Sequence, residues 1–416
     1  MYTVVIVVPF RRKSEFVGEV ASDWGYALKL LRDSFSGRFG KIVVAAPEIP
    51  LGDGLIGNQE PYALHAEEDG ISFVKIANTQ WRARQFWKNY FKIRKQLQQL
   101  AQDTDVLHTD MGNLYQPYPR MGFEAAWRAG VCTVFVQDMD IIQQIRDQSR
   151  DKGLPGKLRA EAYAAIYYQL TRRVAARADL SLLKSKAAFG RYAPYAKNPK
   201  NFMNTSFSIS DVISDKAIQE KCTAVESSSP LQCLYLGRLV DRKNIDHGIH
   251  AVAKARQMGA NVEFNIIGQG PDEERLQAKA KELGVADAVH FLGSRPYGPE
   301  LMKEIQAYPV FLYSATIEDT PRALFDGLAA GCALASYRTS YTEEVVEMGQ
   351  HGQLAPLGDT DALAKILCDL DRDRSRVASL IRAAGQNAAY HAAENWYQRR
   401  AEWTIEAYEK HHHHNK

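Results

Sequence analysis

At 416 residues the chain exceeds what one compact core serves, so two domains of roughly 200 residues each are expected. A hydrophobic share of 45% and a charged share of 24% exclude a largely disordered chain, and 52 Lys+Arg against 49 Asp+Glu leave a net +3 that gives no general drive towards nucleic acid or anionic lipid. The five cysteines, Cys132, Cys222, Cys233, Cys332 and Cys368, lack any Cys-x-x-Cys spacing, which disfavours a zinc site or a disulfide framework and fits a reducing cytoplasm.

The opening Met1 to Pro9 is apolar, has no basic n-region and stops short of a spanning helix, so it reads as a first buried strand without an export signal. Short β-branched runs then alternate with amphipathic stretches, the pattern of βαβ units building parallel sheets. In the first half the strands are expected at Val4–Val8, Ile42–Ala46, Ile71–Ile76, Val106–His108, Val131–Gln137 and Leu180–Leu183. Between them, residues 81–95 mix bulky aromatics with six cations at helical spacing. Two readings stand there: aromatics packed inward under basic stems, or a helix lying on a membrane surface.

A polar stretch from Thr223 to Pro230 marks the expected boundary. Residues 1–222 then form one Rossmann-like domain and 223–395 a second. In the second half the strands are expected at Gln232–Leu236, Val262–Ile267, Val289–Leu292, Val310–Tyr313 and Ala333–Ser336, with helices starting near Asn244, Pro271, Pro299, Pro321 and Thr342. The fold class is therefore α/β, with two doubly wound parallel-sheet domains whose facing would leave a cleft at the carboxyl ends of the strands. Residues 396–416 are expected as a separate helix carrying Trp403, Ile405 and Tyr408, able to cross back to the first domain, followed by a polar tail; His411–His414 read as a tag or as part of that tail.

Three segments carry chemistry. In Leu236 to Asn244 a strand ends in Gly237 and is followed by basic residues before a helix, so Arg238 and Lys243 could clamp a diphosphate; a solvated basic loop is the plain alternative. Gly268, Gly270 and Pro271 end the next strand and open a helix at the proline. Position 273 is Glu, so the dinucleotide fingerprint is incomplete, and a tight turn is the alternative there. In the third, Thr320 is the expected N-cap and Pro321 the first helical residue, with Glu318 in the loop and Asp326 on the helix. Carboxylates there can accept bonds from sugar hydroxyls, and the N–H groups of Asp319 and Thr320 can donate; surface acids beside a helix end are the alternative.

Taken together, Gly237-Arg238 with Lys243-Asn244, Ile267 to Pro271, Val289 to Gly293, Glu318 with an acid at 326, and Ala329-Ala330-Gly331 resemble the retaining GT-B-fold glycosyltransferases of family 4 (glycosyltransferase group 1) over about residues 231–370. The resemblance implies that Arg238 and Lys243 neutralise a donor diphosphate, that Glu318 meets the donor sugar, and that Asp326 holds the ribose. Residues 293–296, with Arg295, would pass the nucleotide base, and residues 1–222 would be the acceptor side. Two departures stand out: Asp326 replaces the usual Glu, and Val8-Pro9-Phe10 leads into Arg11-Arg12-Lys13 where the family has a glycine-rich loop. In the first half the resemblance is faint. His108 falls where a histidine is frequent, and Asp138 falls where a second one lies near the reacting carbon, so Asp138 is a candidate for orienting an acceptor hydroxyl or a satisfied loop carboxylate.

The resulting expectation is a retaining, metal-independent transferase that uses a nucleotide-diphosphate sugar, UDP- or GDP-linked, as donor substrate and needs no cofactor. The acceptor would be a glycan or a lipid-linked molecule, the location cytoplasmic or peripheral to the inner face of the membrane through residues 81–95, and nucleic acid no partner. The rivals are another GT-B activity, such as a nucleotide-sugar epimerase or phosphorylase, and a non-catalytic carbohydrate- or membrane-binding protein.

Overall fold

Runs of Val, Ile and Leu become strands where the chain can cover both of their faces, and the computed structural model places them in two sheets. It describes residues 1–50, 61–149, 152–317 and 320–414. The chain divides into two compact units, one of residues 1–203 with the chain from Glu394 onward, the other Asn204–Ala393.

The first unit contains β1 (Tyr2–Val5), β2 (Phe10–Arg12), β3 (Val17–Ala21), β4 (Ile42–Ile49), β5 (Pro61–His65), β6 (Ile71–Asn78), β7 (Val106–Thr109), β8 (Cys132–Gln137), β9 (Leu180–Lys184) and β10 (Pro199–Phe202). They pair in the order β10-β9-β8-β7-β1-β4-β2-β3-β5, with β6 also on β4. The sheet is parallel from β10 through β4 and onto β6, but β3 runs antiparallel to both β2 and β5. This antiparallel extension was not expected. It begins where Arg11-Arg12-Lys13 replaces a glycine-rich loop, and it is held by Arg11 and Lys13 against Glu19 and by Arg12 against Glu48. Such a charged run does not read as a strand in the sequence, although it pairs on both sides, with β4 and β3.

The second unit contains β11 (Leu231–Leu236), β12 (Val262–Ile267), β13 (Val289–Gly293), β14 (Val310–Tyr313), β15 (Ala333–Tyr337) and β16 (Gly352–Ala355). All pair in parallel in the order β13-β12-β11-β14-β15-β16, the doubly wound arrangement whose direction reverses between β11 and β14. Neither β10 nor β16 contains a β-branched residue, which is why their sequences carry no strand signal.

The boundary expected at residues 222 and 223 lies inside a helix, Asp215–Ser227. Ile218, Cys222 and Val225 are buried on it, and a Cβ at Gly385 of the helix Arg374–Ala388 would stand 2.2 Å from the Ile218 side chain. Packing of this kind makes the helix part of the second unit, and the polar serines at its end are only its exit. The final helix runs Ala393–His414, longer than the amphipathic stretch expected from residue 396. His411 on it is anchored: it sits 2.8 Å from the carbonyl of Gly130 and 3.2 Å from Asp179.

Candidate active site

The carboxyl ends of β13, β12 and β11 carry three loops that are stitched to one another by backbone bonds. Gly268 N–H donates to the Gly293 carbonyl at 2.9 Å, Gly237 N–H to Ile267 at 3.0 Å, and Leu239 N–H to Gln269 at 3.0 Å. A Cβ at Gly268 would lie 1.9 Å from the Gly237 oxygen, and one at Gly270 would lie 2.1 Å from the Leu239 oxygen. The glycines that the sequence ties to ligand approach are thus already required by loop-on-loop packing. Pro271 is a second difference, because it stands in a turn and the helix starts at Glu273 after Asp272. Its ring fits a turn as well as a first helical position, since both use the same φ.

Arg238, the residue after Gly237, is exposed and has no side-chain partner among the described residues. Lys243 is buried; its ammonium lies 3.4 Å from the Tyr313 hydroxyl and over that ring at 5.6 Å. One residue on, Asn244 adopts φ 47, ψ 43, a left-handed conformation that asparagine tolerates better than most residues. Its Oδ1 accepts from the Thr316 N–H at 3.2 Å and the Thr316 hydroxyl at 2.9 Å, while its carbonyl accepts from Ser314 at 2.8 Å. The basic turn after β11 is therefore tied to the loop after β14, across the point where the sheet reverses direction.

Glu318 and Asp319 lie outside the described residues. Thr320 is not the N-cap. The helix spans Ala323–Ala329 with Arg322 at its cap, and Leu324 N–H reaches back to Pro321 at 3.4 Å, so Thr320 and Pro321 sit in the approach to the helix. Asp326 is buried on that helix, and Tyr297 donates its hydroxyl to Asp326 Oδ1 at 3.0 Å. Burial pushes the carboxyl up to about 7, against the lowering effects of the Tyr297 bond and Arg322. Tyr297 was not anticipated. It lies two residues past Arg295, between Pro296 and Gly298, and nothing in that setting announces a partner for Asp326. Arg295 itself is engaged, donating to Glu304 at 3.0 Å and to the Leu292 carbonyl at 2.7 Å.

In the first unit, Asp138 follows β8 and pairs at 3.2 Å with the ammonium of Lys184, a buried side chain at the end of β9. Asp110, just past β7, accepts from the Gly112 N–H at 2.9 Å. Burial of its carboxyl, aided by the charge of Asp138, raises it to about 7. Neither Asp110 nor Lys184 was anticipated; each is a lone charge after an apolar run. His108, by contrast, is a core residue: it is buried, hydrogen-bonded to the Tyr2 hydroxyl at 2.6 Å, and burial lowers it to about 3.

Residues 221–387 match the family described as Glycosyl transferases group 1. The amylovoran biosynthesis glycosyltransferase AmsK of Erwinia amylovora is 30% identical over 161 residues, 37% of this chain and 39% of the relative. A GDP-mannose-dependent alpha-(1-6)-phosphatidylinositol monomannoside mannosyltransferase of Mycolicibacterium smegmatis is 30% identical over 168 residues, 39% of this chain and 43% of the relative. The alignments thus span about two fifths of these curated relatives. Among solved structures, Anabaena Alr3699/HepE in complex with UDP superposes with a TM-score of 0.66 at 17% identity, covering 98% of this chain and 100% of that one. The likeness is one of fold, two α/β domains of the GT-B type. Over residues 221–387, about two fifths of the chain, the sequence is similar to the group 1 glycosyltransferases.

Proposed function

We propose that the protein is a retaining glycosyltransferase of family 4 that moves a sugar from a nucleoside-diphosphate donor to a glycan or lipid-linked acceptor. One observation carries the reading: an exposed arginine and a buried lysine, Arg238 and Lys243, flank a loop locked by Asn244 and Thr316 where the second sheet reverses. Loss of a nucleoside diphosphate builds negative charge on its phosphate oxygens, and preorganised cations there lower the barrier. Arg238 offers a planar fork to two oxygens, and Lys243 a point charge held by Tyr313. No metal ion is assigned to this step. With no protein nucleophile identified, the acceptor oxygen attacks the anomeric carbon on the face the diphosphate leaves, which preserves configuration, and its proton passes to a departing phosphate oxygen.

Gly237, Gly268, Gly270, Pro271, Arg295, Asp319, Thr320, Pro321 and Asp326 frame the donor in this proposal, with Glu318 on the sugar and Asp138 on the acceptor. HepE, solved in complex with UDP-glucose, supports a uridine donor, and the mycobacterial relative named as GDP-mannose-dependent supports guanosine as the other base to try. AmsK, named for amylovoran biosynthesis, supports a polysaccharide as product. Five unpaired, buried cysteines support a cytoplasmic location.

The test is turnover of UDP- and GDP-sugars with a saccharide acceptor, after thermal-shift screening for a stabilising nucleotide. Arg238→Ala and Lys243→Ala each lower kcat by about 10²–10³, the usual cost of removing one preorganised donor. Folded variants that turn over at the parent rate end this assignment.

A further inference from the structure

The helices Ala83–Lys88 and Tyr90–Gln102 of the first unit have one side that the core explains and one that it does not. Phe86, Ile93, Leu97 and Ala101 are buried with Ile76, Leu107 and Tyr118. On the other side Trp87 is 52% and Phe91 79% exposed. Only Asn89 separates the helices, at φ −99 and ψ 7, so their faces run on nearly in line. Arg84, Lys88, Phe91 and Lys95 follow one another at steps of four, three and four, which puts them on one stripe, with Trp87 and Lys92 flanking it. The Trp87 ring stacks on Tyr90 at 5.4 Å and 19°, which holds it outward beside the stripe.

Charge sharpens the pattern. From Ile71 to Gln102 the sequence has no Asp or Glu, although the chain as a whole is almost balanced. None of Arg82, Arg84, Lys88, Lys92, Arg94 and Lys95 forms an ion pair among the described residues. Elsewhere surface cations commonly meet acids, as at Arg146–Glu161 and Arg256–Asp287. Two bare aromatic rings one turn apart, set among uncompensated cations, match an interface that is apolar below and anionic above.

We propose that this face docks on an anionic phospholipid surface, with Trp87 and Phe91 entering the headgroup–acyl boundary and the lysines and arginines meeting the headgroups. Cations alone would serve any polyanion, but the rings project from the outer side of a helix, where they can enter a layer and have no groove in which to stack bases. The inference does not rest on the donor site, and the two fail separately.

The experiment is co-sedimentation of the full chain with phosphatidylcholine vesicles, with and without phosphatidylglycerol. Binding is expected only where phosphatidylglycerol is present and is expected to weaken as salt rises. The double variant Trp87→Ser, Phe91→Ser loses about tenfold in partitioning, and the triple variant Lys88→Gln, Lys92→Gln, Lys95→Gln about a hundredfold. All five positions are exposed, so melting temperature and nucleotide-induced thermal shift stay at parent values, and those readouts judge the donor site independently. Binding that ignores phosphatidylglycerol, or parent-like binding by both variants, overturns the proposal. So does tighter retention on single-stranded DNA or an anionic polysaccharide than on the vesicles.

Discussion

Asn244 Oδ1 accepts two hydrogen bonds from Thr316, one from its N–H at 3.2 Å and one from its hydroxyl at 2.9 Å, and so joins the turn after β11 to the loop after β14. Lys243 precedes Asn244 directly, so this clasp fixes where its ammonium can reach. Replacement by alanine removes both bonds and leaves φ 47 to a residue that tolerates the left-handed region less well than asparagine. With ~1 kcal/mol per bond and ~1 kcal/mol or more for the left-handed backbone, Asn244→Ala costs about 3 kcal/mol or more in urea unfolding. Asn244→Gly keeps the backbone at ease and costs only about 2 kcal/mol, the two bonds alone. Equal losses in the two variants would remove backbone conformation from the explanation.

Asp326 and Asp110 set a pH dependence opposite to that of a salt-bridged carboxylate. Both are raised from 3.8 to about 7, chiefly by burial, so folding favours their protonated forms. Their stabilising contribution is complete below the unfolded value and is lost as pH rises through about 7. Each adds a downward slope approaching ~1.4 kcal/mol per pH unit between those limits. Asp326→Asn should flatten the measured curve of unfolding free energy against pH, and Tyr297→Phe, which deletes the donor at 3.0 Å, should move the loss of stability to lower pH only if the bond is not what holds the ionised form. A shift to higher pH is the expected outcome; a parent-like curve in Asp326→Asn would refute the assignment.

The loop contacts predict sharply different costs for glycine substitutions. Gly270→Ala drives a Cβ to 2.1 Å from a backbone oxygen, which no side-chain adjustment relieves, so unfolding free energy drops by at least ~2 kcal/mol and nucleotide binding weakens with it. Gly190→Ala, in the helix Ser185–Tyr192 with nothing within 4 Å, gains about 0.5–1 kcal/mol. Denaturant titration of both variants checks the contrast.

Asp138 combines a structural and a proposed chemical role, which a double variant separates. Asp138→Asn leaves the buried Lys184 ammonium without the carboxylate at 3.2 Å and costs about 1–3 kcal/mol. Adding Lys184→Met removes the orphaned charge and restores most of that stability. Sugar transfer should stay slow in the stable double variant; recovery of the parent rate would leave Asp138 with the structural role alone.

Periodicity and composition by themselves determined that the chain is α/β and built from two parallel-sheet units, because a strand buried on both faces must be a short apolar run and a covering helix must be amphipathic. That logic located eleven strands and the basic loop after β11, where Gly237, Arg238 and Lys243 are adjacent in sequence. It was silent on β2, β5, β10 and β16, whose strands are short, charged or free of β-branched residues, and on β3, whose place is set by pairing with β2 and β5. The unit boundary also escaped it, since a serine run at a helix exit looks like a linker until the buried face of that helix is seen. Tertiary structure alone decided which distant residues meet: Asn244 with Thr316, Tyr297 with Asp326, Lys184 with Asp138, and His108 with Tyr2 inside the core. A hydrogen bond or ion pair between residues tens of positions apart leaves no local trace, because each partner alone is an ordinary polar residue, and only the register of the sheet brings the two within reach.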